Sequence, residues 1–223
     1  MLMRHFRDVL QLHRRRSWNT SQATRKESKY QGEVASEYLS RRAATLLWQH
    51  ENILLARLLS ELPNNLKVLD APFGTGRAMP IYAAKQWAIT GLDISLDMLK
   101  IGSRYSEPYE KIRLEQGDAA AIRHGDAEFE GVVSMRFLGG IPPTARAEKI
   151  LSEFSRVASD FVVLQLRFLK EGSPRGTKDD MGHRWTEREM LDRLGSKGLV
   201  VKQMVATSDS LNSKDVLVLC RHA

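Results

Sequence analysis

The sequence predicts an α/β fold with a doubly wound, seven-stranded and mostly parallel sheet, an antiparallel last strand and an N-terminal helical cap. Two observations lead to this prediction. Beyond residue 65, short apolar runs alternate with helical patterns, which is typical of a parallel sheet covered by helices on both faces. The last two apolar runs follow each other without a helix between them, so we expect them to pair as an antiparallel hairpin at the sheet edge.

The individual elements follow from periodicity and from residues that end helices. The predicted strands are residues 66–70, 88–93, 111–115, 129–135, 160–167, 199–206 and 215–220. The predicted helices between them are residues 76–86, 95–104, 119–123, 144–157 and 186–197. One long helix is predicted over residues 33–62, because its apolar residues recur at helical spacing and Pro63 follows it.

The first 62 residues differ in character from the rest of the chain. Residues 2–14 have apolar positions at near-helical spacing, whereas residues 15–32 are polar and rich in turn-forming residues. We therefore predict two parts, a basic helical arm and cap over residues 1–62 and an α/β domain over residues 63–223.

Most of the positive charge lies in this arm. The chain of 223 residues has a formal net charge of +7, and its first 50 residues hold ten basic and four acidic side chains. A nucleic-acid-binding domain is expected to carry positive charge over its binding face as well. Residues 14–29 nevertheless combine basic clusters with Trp18, and Tyr30 follows them, a composition that can bind RNA, acidic lipid or an acidic protein.

Composition also excludes several classes of protein. Cys220 is the one cysteine of the chain, which excludes an internal disulfide and a cysteine-rich zinc site. No apolar run approaches the ~20 residues that a membrane-spanning helix needs. Charged residues interrupt the apolar positions near the start, so no secretory signal is predicted. We therefore expect a cytoplasmic protein.

The most informative segment is residues 68–77, VLDAPFGTGR. An apolar strand ends at Asp70, a turn containing Gly74 and Gly76 follows, and a helix comes next. Glycines allow the backbone to approach a ligand closely and to adopt unusual dihedral angles, and a helix N-terminus offers free N–H groups. A phosphate-binding loop would favour positive charge at this place, whereas Asp70 suits a cationic ligand or ordered water and amides. Met79 stands where a nicotinamide-binding loop needs its third glycine.

This segment resembles the first motif of the class I S-adenosylmethionine-dependent methyltransferases, usually Asp/Glu-x-Gly-x-Gly-x-Gly, with Pro72 in place of the first glycine. The resemblance extends over residues 66–220 and implies a Rossmann-like methyltransferase fold with S-adenosylmethionine as the methyl donor. It implies that Asp93 accepts hydrogen bonds from the ribose and Asp118 from the adenine amino group. The implied donor-binding residues are Asp70, Ala71, Pro72, Gly74, Gly76, Arg77, Asp93, Ile94, Asp118, Ala119 and Met135. Taken singly, each acid could instead cap a helix or a turn.

Arg136 and His183 are the candidate catalytic residues. Arg136 follows the fourth strand directly, and we hypothesise that it binds a carboxylate or phosphate of the acceptor. The alternative is a surface arginine or a salt bridge to the sheet edge. His183 lies in the connection after the fifth strand and is a candidate general base, with an exposed loop histidine as the alternative. Asp179, Asp180 and His183 match no specific metal-binding spacing, so no metal is predicted.

The predicted function is methyl transfer to oxygen or nitrogen of a small-molecule or lipid-linked acceptor. Residues 135–143 lack the Asp/Asn-Pro-Pro-Tyr/Phe sequence of enzymes that methylate the amino groups of DNA bases. In this interpretation Trp18 and Tyr30 pack over the donor pocket as a lid. Two alternatives remain open: an RNA methyltransferase guided by the basic arm, and a catalytically silent domain that binds the cofactor or a partner.

Overall fold

A computed structural model of the chain describes residues 45–141, 143–170 and 185–223, together with residues 32, 37–38 and 41–42. The predicted helix over residues 2–14, the basic residues 14–29 with Trp18 and Tyr30, and His183 lie outside these described residues. Within them, no helix is both long and apolar enough to cross a membrane.

Helices and strands alternate along the described chain as the sequence predicts. The helices are α1 (Leu46–Ser60), α2 (Met79–Ala84), α3 (Leu96–Ser106), α4 (Ala145–Val157) and α5 (Glu187–Ser196). The strands are β1 (Lys67–Asp70), β2 (Ala88–Asp93), β3 (Ile112–Gln116), β4 (Phe129–Ser134), β5 (Ala158–Leu169), β6 (Trp185–Thr186), β7 (Leu199–Asp209) and β8 (Ser213–His222). A short 3₁₀ helix, Leu138–Gly140, follows β4.

The sheet has the order β3-β2-β1-β4-β5-β8-β7. The strands from β3 to β5 are parallel, while β8 is antiparallel to both β5 and β7. The predicted fold class, the antiparallel last strand and the edge hairpin are thereby confirmed. The chain reverses its direction of winding at β1, so the carboxyl ends of β1, β2 and β4 meet at one edge, where parallel sheets of this kind bind ligands.

The predicted number of seven strands is wrong, because the described residues form eight. The additional strand, β6, has two residues and pairs in parallel with the last two residues of β5. These residues of β5 lie beyond the part that pairs with β4. A two-residue strand has no periodicity of its own, so no sequence pattern indicates it.

Two helical predictions also differ from the structure. The single helix over residues 33–62 is interrupted at Thr45, which is extended (φ −79°, ψ 137°) and whose hydroxyl accepts a hydrogen bond from the Trp48 N–H. Thr45 is therefore the N-cap of α1. Residues 119–123 form a turn, in which the Asp118 carboxylate accepts from the Ala120 N–H and the Glu153 carboxylate accepts from the Ile122 N–H. These side-chain acceptors replace the carbonyls that a helix would use.

The two faces of the sheet each carry an apolar core. One core contains Ile150, Leu151 and Phe154 of α4 together with residues of α5. The other contains Leu55, Leu58 and Leu59 of α1, with residues of α2 and α3. The sheet is therefore covered on both sides, and α1 is an integral part of the second core.

Candidate active site

The loop after β1 is held in place by a buried phenylalanine. Gly74 and Gly76 have φ angles of +60° and +75°, in the left-handed region that glycine adopts without strain, as the sequence predicts. The ring of Phe73 fills a space next to Gly76, Gly91 and Gly102. A Cβ at these glycines would come within 2.8, 2.6 and 2.7 Å of that ring, respectively. Because the glycines admit the ring, the loop is anchored to β2 and α3.

A cavity of about 470 Å³ lies at the carboxyl ends of β1, β2 and β4. This volume falls within the range of small-molecule sites, roughly 300–1,000 Å³. The predicted site residues among its lining are Asp70, Pro72, Gly74, Arg77, Asp93, Ile94, Met135 and Arg136. Of the other predicted residues that the structure describes, Ala71, Gly76, Asp118 and Ala119 are not part of this lining.

Asp70 brings a buried carboxylate to the cavity. It is 4% exposed, and its Oδ2 accepts a hydrogen bond from the Tyr82 hydroxyl at 3.1 Å. Burial raises the pKa of Asp70 well above its ordinary value, and the nearby negative charge of Asp93 raises it further. A cationic ligand group would offset both effects, so the position suits an ammonium group.

Asp93 connects the loop after β1 to the start of α3. Its Oδ2 accepts from the Gly74 N–H and its Oδ1 from the Ser95 N–H, both at 2.8 Å. Ser95 in turn caps α3 through the Met98 N–H. A carboxylate oxygen can accept more than one hydrogen bond, so these contacts are compatible with the expected role of Asp93 toward ribose hydroxyls.

Thr75 presents a polar atom that no other described residue satisfies. Its side chain is buried and lines the cavity, and its Oγ1 has no hydrogen-bond partner among the described residues. An unsatisfied buried hydroxyl is costly, and a polar ligand would remove this cost. Together Asp70, Asp93 and Thr75 offer what the polar groups of S-adenosylmethionine require, an anion for the ammonium and hydrogen-bonding partners for the hydroxyls.

Asp118 is engaged elsewhere in this structure. Arg146 of α4 donates to both of its carboxylate oxygens, at 3.1 and 2.9 Å. The same carboxylate accepts from the Ala120 N–H at 2.8 Å. Its expected role toward adenine stays a prediction, as does that of the neighbouring Ala119, which is buried.

A buried ionic cluster joins α1 to the two loops that border the cavity. We call it the Glu51 cluster; it consists of Glu51, Arg77, Arg136 and Gln165. Glu51 of α1 is 1% exposed and accepts hydrogen bonds from Arg77 at 3.0 Å, from Arg136 at 2.9 and 3.1 Å, and from Gln165 at 2.7 Å. The guanidinium of Arg77 also stacks on the Trp48 ring, 4.1 Å from its centroid. Arg77 thereby fixes α1 against the loop after β1.

Arg136 has an unusual backbone conformation. Its φ is +55°, which is uncommon for a residue with a side chain and costs about 1–3 kcal/mol. Its guanidinium pairs with Glu51, and Arg136 also lines the cavity. Arg136 thus forms a salt bridge, but to Glu51 of α1 and not to the sheet edge, and its expected contact with the acceptor stays a prediction.

Three residues that border the site were missed by the sequence prediction: Glu51, Gln165 and Arg167. Glu51 lies on the buried stripe of α1 with Trp48 and Leu55, since these positions are three and four residues apart. An acid on an apolar stripe is a signal that could have identified it. Gln165 and Arg167 are polar residues in the otherwise apolar run of β5, and the same argument applies to them. No group of three His, Cys, Asp or Glu in the described chain could hold a metal ion.

Part of the chain is similar in sequence to known methyltransferases. Residues 68–160 match the sequence model of a family described as a methyltransferase domain. A demethylmenaquinone methyltransferase of Renibacterium salmoninarum is 35% identical over 91 residues, which make up 41% of this chain and 36% of that protein. The alignment thus spans about a third of the length of this curated relative.

Solved methyltransferase structures share the fold. The magnesium protoporphyrin IX methyltransferase of Synechocystis PCC 6803 with bound SAH has a TM-score of 0.70 at 16% identity, over 89% of this chain and 98% of that one. A geranyl diphosphate methyltransferase in complex with SAM has a TM-score of 0.65 at 14% identity, over 86% of this chain and 92% of that one. The chain therefore shares the fold of these methyltransferases, and residues 68–160 match the model of a methyltransferase domain.

Proposed function

We propose that this protein transfers a methyl group from S-adenosylmethionine to an oxygen or nitrogen atom of a small-molecule or lipid-linked acceptor. The observation that supports this most directly is the meeting of Asp70, Asp93 and the Gly74 loop in one cavity of a methyltransferase domain. The cavity lies at the carboxyl ends of the strands, where folds of this kind bind their ligands.

The donor-binding residues divide by their chemistry. Asp70 would hold the ammonium group of the donor, because its buried carboxylate needs a positive partner. Asp93 would accept hydrogen bonds from the ribose hydroxyls, while the N–H groups and the Thr75 hydroxyl of the loop would meet the remaining polar atoms. When bound, the donor supplies a methyl group that its sulfonium already activates.

The remaining wall of the cavity favours an acceptor with an apolar body. Trp48, Met135, Phe137 and Ile141 line it, and such side chains exclude water and bind apolar surface. With an activated donor, holding the acceptor close and aligned accounts for much of the catalysis, roughly 7–11 kcal/mol in well-oriented systems. Arg136 would bind an anionic group of the acceptor, and the role of His183 as a base stays a prediction.

The relatives support a small acceptor. The names of the three proteins above refer to demethylmenaquinone, magnesium protoporphyrin IX and geranyl diphosphate, each of which is a small molecule or a lipid. We therefore favour this class of acceptor over RNA. The residues 14–29 on which the RNA alternative rests lie outside the described chain.

Donor binding tests the proposal, and two glycines provide a matched pair of variants. Gly74 and Gly198 both have a positive φ, +60° and +72°. Alanine therefore introduces a similar backbone strain at either position, about 1–2 kcal/mol. At Gly74 the added methyl group would also contact Met98 in the cavity wall, whereas nothing lies within 4 Å at Gly198.

We expect calorimetric titration with S-adenosylhomocysteine to show binding to the unmodified protein and to Gly198→Ala. Binding to Gly74→Ala should be weaker by about tenfold or more, which corresponds to about 1.4 kcal/mol. A folded protein that gives no heat with either S-adenosylmethionine or its product would contradict the proposed function. Equal losses in the two variants would contradict the assignment of the donor to this loop.

A further inference from the structure

A second, smaller cavity adjoins the first. Its volume is about 150 Å³, and it shares Tyr38, Arg42, Arg136, Gly140 and Arg167 with the lining of the larger one. The remaining lining residues are Glu51, Gly139, Gln165, Leu166 and Asp215. A molecule bound in the larger cavity could therefore extend one end into the smaller one.

Positive charge exceeds negative charge around this second cavity. Three arginines, Arg42, Arg136 and Arg167, line it against two carboxylates, Glu51 and Asp215. Both carboxylates are already neutralised. Glu51 accepts from Arg136 as well as from Arg77, which is not part of this lining. Asp215 accepts from Arg167 through both of its oxygens, at 2.5 and 2.7 Å.

Arg42 supplies the uncompensated charge. It is exposed and has no ion-pair partner in the part of the chain that the structure describes. The free charge of Arg42 is therefore what makes this cavity suit a negatively charged ligand group. Gln165 plays a different part: it is 6% exposed, its Nε2 donates to Glu51, and its Oε1 has no hydrogen-bond partner among the described residues. This amide oxygen can only accept a hydrogen bond, so it suits a donor group of the ligand and not the anion itself.

We infer that the second cavity binds the carboxylate of the methyl acceptor, while the reacting end of that molecule lies in the larger cavity. The inference rests on the proposed function. The planar fork of an arginine matches a carboxylate through two parallel hydrogen bonds. A phosphate dianion fits less well, because two members of the lining are themselves carboxylates that repel its second charge. The acceptor is thus a small carboxylic acid with an apolar body.

The test uses pairs of probes that differ in charge and little in shape. Benzoate and octanoate are titrated into the unmodified protein alongside benzamide and octanamide, and phenyl phosphate is the third arm. Each titration is carried out with and without saturating S-adenosylhomocysteine, and the binding of that nucleoside is measured separately. We expect each carboxylate to bind at least about tenfold more tightly than its amide, as befits a charged hydrogen-bonding partner.

Arg41 and Arg42 form a matched pair of positions. Arg41 is exposed and pairs with Glu37, one turn away, and it is not part of the lining. Arg42→Gln should weaken benzoate binding by about tenfold and leave benzamide binding unchanged, whereas Arg41→Gln should change neither. Both substitutions lie on an exposed surface, so folding should be unaffected.

Several results would overturn the inference. These are equal binding of carboxylates and amides, tighter binding of phenyl phosphate than of benzoate, or an Arg42→Gln variant with unchanged benzoate affinity. Absence of nucleoside binding would instead contradict the proposed function, and the preference for carboxylates can then still be read from the titrations without the nucleoside.

Discussion

Burying the Asp70 carboxylate costs folding free energy, and in the proposed function the same carboxylate binds the donor. Burial raises its pKa, so the folded protein retains a proton that the unfolded chain releases. Stability is therefore lost as the pH rises through the raised pKa of the folded state. We predict that, at a pH above the raised pKa, Asp70→Asn leaves the thermal midpoint without ligand unchanged or higher, because a neutral amide replaces the charge. The same variant should bind S-adenosylhomocysteine at least about tenfold more weakly, because the ammonium group loses its anionic partner.

Asp192 provides the control for this substitution. It lies on the exposed face of α5, so Asp192→Asn should change neither stability nor nucleoside affinity. Scanning calorimetry and titration of both variants separate the two effects. A strongly destabilised Asp70→Asn protein would show that the carboxylate is structural, and unchanged affinity would show that it does not face the donor.

The sequence predicts the position of those residues that stand at the end of a strand. Asp70 and Asp93 end β1 and β2, and neighbouring parallel strands bring their ends together. Asp118 follows β3 in the same way, but Arg146, 28 residues further along, binds its carboxylate. Long-range pairing between side chains of opposite charge leaves no local pattern, so a single sequence does not reveal it.

At the scale of elements, the Glu51 cluster makes α1 a part of the site. The Glu51 carboxylate is buried between Arg77 and Arg136, which belong to loops after β1 and β4. Removing one partner of a buried ion pair leaves an uncompensated charge and typically costs about 3–5 kcal/mol. We predict that Glu51→Gln lowers the free energy of unfolding by about this amount, as measured by urea denaturation. It should also weaken nucleoside binding, since Arg77 loses its tie to α1.

Glu61→Gln serves as the matched control, because Glu61 is the exposed C-cap of α1. Its stability should stay within about 0.5 kcal/mol of the unmodified protein. If Glu51→Gln behaved in the same way, the cluster would not stabilise the position of α1. Replacement of Glu51 by alanine should be at least as destabilising, because it also removes side-chain packing.

Elements with several apolar residues at a regular spacing could be predicted from the sequence. The two-residue strand β6 and the start of α1 at its N-cap Thr45 could not. The long runs of β5 and β8 gave clear signals, and so did the antiparallel hairpin of β7 and β8. The apolar residues of α1 do not by themselves show which face is buried, because Ile53 is exposed while Leu55 is fully buried. The segment before Thr45 has helical composition, and composition does not show where an N-cap side chain ends one helix and begins the next.

At the scale of the whole molecule, α1 lies on the arm side of the predicted boundary between residues 1–62 and 63–223, yet it packs with the α/β domain. Three of its leucines, Leu55, Leu58 and Leu59, are almost fully buried and pack into the second core beneath the sheet. The other end of α1 reaches the larger cavity through Trp48 and the smaller one through Glu51. The helix therefore serves the folding of the domain and the closure of the site together, as a cap that is built into the core.

A comparison of two shortened chains tests where the folding unit begins. Truncating one buried leucine costs about 2–5 kcal/mol, and domains are stable by only about 5–15 kcal/mol. Losing all three leucines should therefore remove most or all of the stability. We predict that residues 45–223 unfold in one cooperative transition in urea, because α1 and its N-cap are retained, whereas residues 63–223 show no such transition. If residues 63–223 gave a cooperative transition with the circular dichroism of the longer chain, the domain would begin at Pro63, and α1 would be an addition to a complete fold.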